Sequence, residues 1–238
     1  MKKKRQYIGF SLIEVLLAVG TLSIGLLFIA GTFMTGIYFS TMATEQTTAA
    51  VAADEAYAKI NLYGVNPADL SSDRLESFEE LSSIDPNECA YPSIDTGAWQ
   101  KQYYWSALCR RTGSDPNSSR LVQITVFVSR KAGSSASYRG EAGRPIPMKV
   151  SISGITDQSR LTITESDRIT WINDGYTIVD DKTGRIYRVI ERDAEQTDRI
   201  RLDRPWKGEQ TGWVWVVPPP ANGGKNPNIA IYQKVIRF

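Results

Sequence analysis

The chain has 238 residues, enough for one medium domain or two small ones with a core that folds unaided. Its 28 Lys and Arg against 26 Asp and Glu leave a formal net charge of +2, with both signs interspersed. That balance argues against a nucleic-acid-binding protein, whose affinity rests on clustered cations, and the absence of His removes the commonest general base and transition-metal ligand.

The first element is a basic block, Lys2, Lys3, Lys4 and Arg5, followed from Val15 to Thr44 by 30 positions without a charged residue. A membrane span needs about 20 apolar residues, so this segment is long enough to cross a bilayer. Cations before it and no matching cluster after it predict a cytoplasmic amino terminus, with the chain beyond about residue 40 on the far side. The run is long for a cleaved signal peptide and fits a signal anchor better. Neither reading accounts for Glu14, a carboxylate just inside the apolar run, where charge is costly and usually functional.

Gly9-Phe10-Ser11-Leu12-Ile13-Glu14 resembles the processing site of type IV prepilins and pseudopilins, and the helix that follows, with its Ile24-Gly25-Leu26-Leu27 run, is similar to those of minor pilins and pseudopilins. The resemblance covers residues 2 to 63, about a quarter of the chain. It implies a leader, residues 1–9, cut by a prepilin peptidase between Gly9 and Phe10, with N-methylation of Phe10. It also implies that Glu14 pairs with the amino terminus of a neighbouring subunit as helices pack into a filament. The partners implied are the prepilin peptidase, other pilin or pseudopilin subunits, an inner-membrane assembly platform and the lipid bilayer. Removing the leader takes four basic residues and no acidic one, so the mature chain would carry 24 against 26, a net charge of −2.

The helix is expected to run on to Tyr63, with Ala49, Ala53, Ala56, Ile60 and Tyr63 on one face, and to stop at Gly64 and Pro67. The glycines Gly20, Gly25, Gly31 and Gly36 read either as close-packing positions or as small residues tolerated in a membrane helix. A short second helix is expected at about 73 to 83, opened by Asp73 and Glu76. "YYWSALCRR" and "RLVQITVFVSR" read as strands, with Val122, Ile124, Val126 and Val128 on one face of the second. Cys89 and Cys109 are expected to form a disulfide if this region lies outside the cytoplasm, contributing about 3 kcal/mol; two buried thiols are the alternative.

Residues 131–147, rich in Gly, Ser and Pro, read as a long loop or linker, and about eight short apolar runs after residue 147 read as strands of a barrel or sandwich. The expected fold class is α+β: a long transmembrane and spine helix (10–64) packed on an antiparallel sheet in a pilin-like head (65–130), then the linker and a small all-β module (148–238) that folds alone or extends the first sheet. "DDKTG" at 180–184 reads as a hairpin turn, since it lacks the later carboxylates of a calcium loop. Trp213 and Trp215 share a strand face and are expected to pack in the core, a sticky surface being the alternative; Trp206 is expected to cover a strand end, and Pro218 to Pro220 to end a strand. No phosphate-binding loop, nucleophile elbow, metal cluster or paired-carboxylate motif is present, so no cofactor and no catalysis are expected. The function expected is that of a minor filament subunit; the alternative is a membrane-tethered binding module that enters no filament.

Overall fold

The structure, a computed structural model, describes residues 10–82, 84–93, 102–113, 120–131, 136–139, 143–154 and 158–238. It is α+β, and the chain divides into two compact units, residues 1–45 and 46–238. One helix, α1 (Leu12–Tyr63), contributes to both.

In the first unit α1 is apolar on all sides, with mean hydropathy 2.4 over its best 18-residue window and none of that window buried. It is long and apolar enough to cross a membrane. The hydroxyls of Thr21, Ser23, Thr32, Thr35, Thr41 and Thr44 each donate to a carbonyl three or four residues earlier, so these polar groups are satisfied inside the helix.

In the second unit the end of α1 buries Ala49, Ala52, Ala53, Ala56, Tyr57 and Ile60. Alanines at these spacings let the helix axis come close to a sheet. Tyr63, expected on the same face, is 48% exposed because the helix ends there. Gly64 turns the chain out at φ +76°, a conformation that glycine adopts without Cβ strain, and its N–H donates to the Ile60 carbonyl (2.9 Å). Pro67 then opens a single 3-10 turn capped by the Asn66 side chain.

The sheet contains β1 (Glu76–Ser77), β2 (Ala90–Tyr91), β3 (Tyr103–Arg111), β4 (Leu121–Arg130) and a strand from the chain end, Asn228–Arg237. All pairings are antiparallel, in the order β1-β3-β4-end strand, with β2 also on β3. Val122, Ile124, Val126 and Val128 face α1, as their alternation predicts, together with Trp105, Ala107 and Cys109 of β3. The expected second helix shrinks to α2 (Phe78–Ser82): Glu76 and Ser77 pair with β3 instead, and the Leu75 N–H donates to the Asp181 carbonyl (2.9 Å).

Between β4 and the end strand lies a closed antiparallel barrel of β5 (Met148–Gly154), β6 (Arg160–Ile163), β7 (Thr177–Asp180), β8 (Ile186–Arg192), β9 (Arg199–Leu202) and β10 (Thr211–Val216), ordered β10-β5-β6-β9-β8-β7. Closure leaves no sheet edge. Inward residues such as Val150, Ile152, Leu161, Ile178, Val189 and Val214 fill it. The β-rich tail is therefore a barrel, not a sandwich, and it does not run to residue 238. The end strand, numbered β11, returns to pair with β4 along its length (Tyr232↔Val126, Arg237↔Leu121). The barrel is an insertion into the head.

The sheet is buried on both faces. One carries α1; on the other, Leu75, Leu108 and Phe127 meet Val179, Trp215 and Val217. Trp213 and Trp215 point out of the barrel because Val214 and Val216 point in. Only Trp215 meets the sheet, so the expectation of two core tryptophans fails for Trp213, which is 43% exposed. Trp206 packs on Tyr187, ring centroids 4.8 Å apart. "DDKTG" is the turn joining β7 to β8, closed by the Gly184 N–H on the Asp180 carbonyl (2.9 Å).

Of the loop or linker expected at 131–147, residues 132–135 and 140–142 lie outside the described residues; in its last part Arg144 is buried, donates to the Trp105 carbonyl (3.1 Å) and Ser106 Oγ (3.4 Å), and ion-pairs with Glu79. One further expectation is corrected. Cys89 and Cys109 are both buried free thiols. The register explains why: Cys89 precedes Ala90, which faces Tyr104, and Cys109 lies five residues beyond Tyr104 on the same strand. At about 3.4 Å per residue the two α-carbons stand well over 10 Å apart, beyond the roughly 7 Å a disulfide tolerates.

Candidate functional site

The chemistry singled out in the sequence sits at the amino-terminal end of α1. Gly9, one side of the expected cleavage bond, lies outside the described residues. Phe10 is 82% exposed, and Ser11 sets up the first turn by accepting from the N–H groups of Glu14 (3.0 Å) and Val15 (3.2 Å). Glu14 thus stands in the first helical turn, where the helix dipole favours an anion by about 0.3–1 kcal/mol. That is small beside the cost of holding a carboxylate at the edge of a hydrocarbon layer.

Glu14 is the sole charged residue from Phe10 to Thr44, and its carboxylate makes no hydrogen bond or ion pair among the described residues. The contrast with the hydroxyls of the span is chemical. A threonine hydroxyl donates back onto its own helix, whereas an ionised carboxylate has only acceptors, so Glu14 is satisfied only by a cation or a hydrogen-bond donor.

Continuity of α1 adds what the sequence reading missed. Glu14, Ala18, Thr21, Gly25, Thr32 and Gly36 follow one another at intervals of three, four or seven residues, so they line one stripe. Nothing lies within 4 Å of where a Cβ would stand on Gly25 or Gly36. The heptad-like spacing was the signal that would have found the stripe.

In the head, the titratable groups serve structure. Burial pushes the Cys89 thiol up to about 12, against the pull of nearby Arg144, and burial likewise pushes Cys109 to about 12. That shift favours the neutral thiol over the thiolate at neutral pH. Burial works against the Lys59 charge, but hydrogen bonds to Glu88 and Glu55 outweigh it and raise the ammonium pKa. Asp181 accepts from Trp215 Nε1 (2.6 Å) and pairs with Lys149 (3.3 Å), which ties the end of β7 to β10 and β5 within the barrel. Asp180 binds the N–H of Thr183 (3.1 Å) within its turn. Among the described residues no three His, Cys, Asp or Glu side chains gather where a metal ion could be held.

No family model, no curated protein and no solved structure matches this chain.

Proposed function

We propose that this chain is a minor subunit of a type IV pilin-like filament, a surface pilus or a secretion pseudopilus. It is made as an inner-membrane precursor with its amino terminus in the cytoplasm and its head in the periplasm, then cut between Gly9 and Phe10 and methylated on Phe10. The observation that carries the reading is Glu14, one carboxylate unpaired among the described residues, on a helix whose apolar surface from Phe10 to Met42 is exposed.

Cleavage would create the missing partner. It frees an amine at Phe10 that stays cationic when methylated. In a bundle of like helices, a neighbour displaced along the axis brings its amine to Glu14. Opposite charges in a low-dielectric bundle attract strongly, and either one left alone is costly. Pairing therefore selects a staggered subunit over a loose one. The stripe of small residues below Glu14 supports the same reading, since it lets a second helix approach closely. The work done is assembly and binding through the head, not catalysis.

The test is the intact mass and amino-terminal peptide of the protein from its own membranes. A chain beginning at methylated Phe10 is expected. A chain beginning at Met1 in cells with an active prepilin peptidase would leave a membrane-tethered module that enters no filament.

A further inference from the structure

The edge of the head sheet meets the barrel at a cleft of about 620 Å³ lined by Arg185, Tyr187, Arg204, Lys207 and Gln233. Three of these are cations and none is a carboxylate. Arg204 shares its charge with Asp203 (3.3 Å) and lies 5.8 Å over the Tyr187 ring. The Arg185 guanidinium and the Lys207 ammonium meet no carboxylate among the described residues. Such a concentration of one sign favours an anionic partner.

The backbone beside the cleft narrows the class of partner. β11 pairs with β4 alone among the described residues, so its far side is an open edge. The Phe238 N–H donates to the Arg120 carbonyl (2.9 Å), in step with the pairing Arg237↔Leu121. That phase commits the even-numbered residues from Ala230 onward to β4 and turns the N–H and C=O of Ile231, Gln233, Val235 and Arg237 outward. The usual devices that blunt an edge are weak here. No proline interrupts β11, its bulge is confined to Asn228/Ala230, and Lys234 is drawn onto the Tyr57 ring at 5.6 Å. Val235 is 51% exposed.

We propose that an acidic polypeptide segment in extended conformation docks here as an added strand on β11, with its carboxylates in the cleft. A polysaccharide or a small acid would satisfy the cations but not a row of outward amides. A strand satisfies both, the ladder giving affinity and the alternate side chains giving specificity. Ile231 packs toward the barrel and Ala230, Tyr232 and Ile236 toward α1. The side chains of an added strand alternate in the same way, so every second one faces the cations. This site belongs to the head and needs nothing from the amino-terminal segment.

The test uses the full chain in detergent micelles and a fluorescent octapeptide of alternating Val and Glu, with the Val and Lys analogue as comparison. The acidic peptide is expected to bind at least tenfold tighter than the basic one. Arg185→Glu with Lys207→Glu is expected to weaken it at least tenfold. Val235→Pro, which removes an outward N–H without touching the β4 ladder, should do the same. Binding is also expected to slow amide exchange at Val235 and Arg237, and this readout decides the matter if the proline variant does not fold. No binding of the acidic peptide, or unchanged exchange at those two amides, overturns the proposal. Alginate bound equally well by wild type and Val235→Pro, with no bound peptide, would give the cations to a polysaccharide and overturn strand addition.

Discussion

From Leu12 to Met42 no side chain of α1 is buried, whereas from Ala49 to Ile60 of the same helix six are. The first stretch is built of Leu, Ile, Phe and Val, the second of Ala. Size separates the two uses. Alanine lets a sheet come against the helix backbone, and the hydrophobic gain comes from the large side chains of β3 and β4 opposite. Large residues on every side suit a surrounding that is fluid and apolar, where nothing has to interlock. The head therefore carries its surroundings within its own chain, while the apolar stretch from Leu12 to Met42, long enough to cross a membrane, has none among the described residues.

That contrast is sharpest at the barrel junction, where the largest effect on stability is expected. Trp215→Ala removes a ring wedged between barrel and sheet and leaves Asp181 without its indole partner. It should cost about 4 kcal/mol, which lowers the melting temperature by roughly 10 °C. Trp213→Ala, two residues along but outward, should stay within about 0.5 kcal/mol. Equal shifts from the two would mean that the barrel does not lean on the sheet.

Arg144→Ala comes next. It leaves Glu79 and the Trp105 carbonyl without their buried donor and should cost about 3 kcal/mol. The loss should shrink if Glu79→Ala is made as well, because the two side chains are coupled. A strictly additive pair would deny the clamp. Smaller still is Ala56→Leu, which overfills the helix-to-sheet contact at about 2 kcal/mol. Ala30→Leu on the exposed span should leave the melting temperature where it was.

Alkali probes the head alone. A buried thiol raised to about 12 stays protonated in the folded chain while the unfolded chain ionises near its ordinary 9.0. The unfolded state then binds fewer protons, so the contribution of each thiol is complete below pH 9 and drains away toward pH 12. Its slope is about 1.4 kcal/mol per pH unit for each thiol. Melting temperatures at intervals from pH 8 upward should fall, and Cys89→Ala with Cys109→Ala should flatten the fall. Burial also raises Tyr57, which acts in the same direction and keeps the curve from becoming flat.

What could be read from the sequence follows the range of the interaction. The end of α1 at Tyr63 was legible because Gly64 and Pro67 act on their own backbone. The face of β4 was legible because alternation is local, and so was the Asp180–Gly184 turn. The return of β11 to β4 was not, since that pairing joins residues about a hundred positions apart and apolar runs do not name their partners. For the same reason Trp213 and Trp215 looked alike, though only one meets the sheet. The separation of the cysteines hinged on which strand β2 chose. At the candidate site the sequence exposed Glu14 as anomalous, and the stripe below it was legible too, in the heptad-like spacing of Glu14, Ala18, Thr21, Gly25, Thr32 and Gly36 along one continuous helix.

Glu14→Leu should have little effect on stability and the greatest on assembly. Its carboxylate makes no hydrogen bond or ion pair among the described residues, so the melting temperature of the full chain in detergent should move by no more than about 0.5 kcal/mol implies. Membrane insertion should hold or improve, because a leucine replaces a costly carboxylate. If the chain assembles as proposed, its recovery in sheared or pelleted filaments should nonetheless fall at least tenfold, since a staggered neighbour would no longer find an anion. Glu14→Asp keeps the charge but draws it back toward the helix, and should recover part of the loss. Glu14→Gln keeps the size and a hydrogen-bonding end without the charge. If Gln assembles as well as Glu, the residue acts by shape, and pairing with an amine is not what sets the stagger.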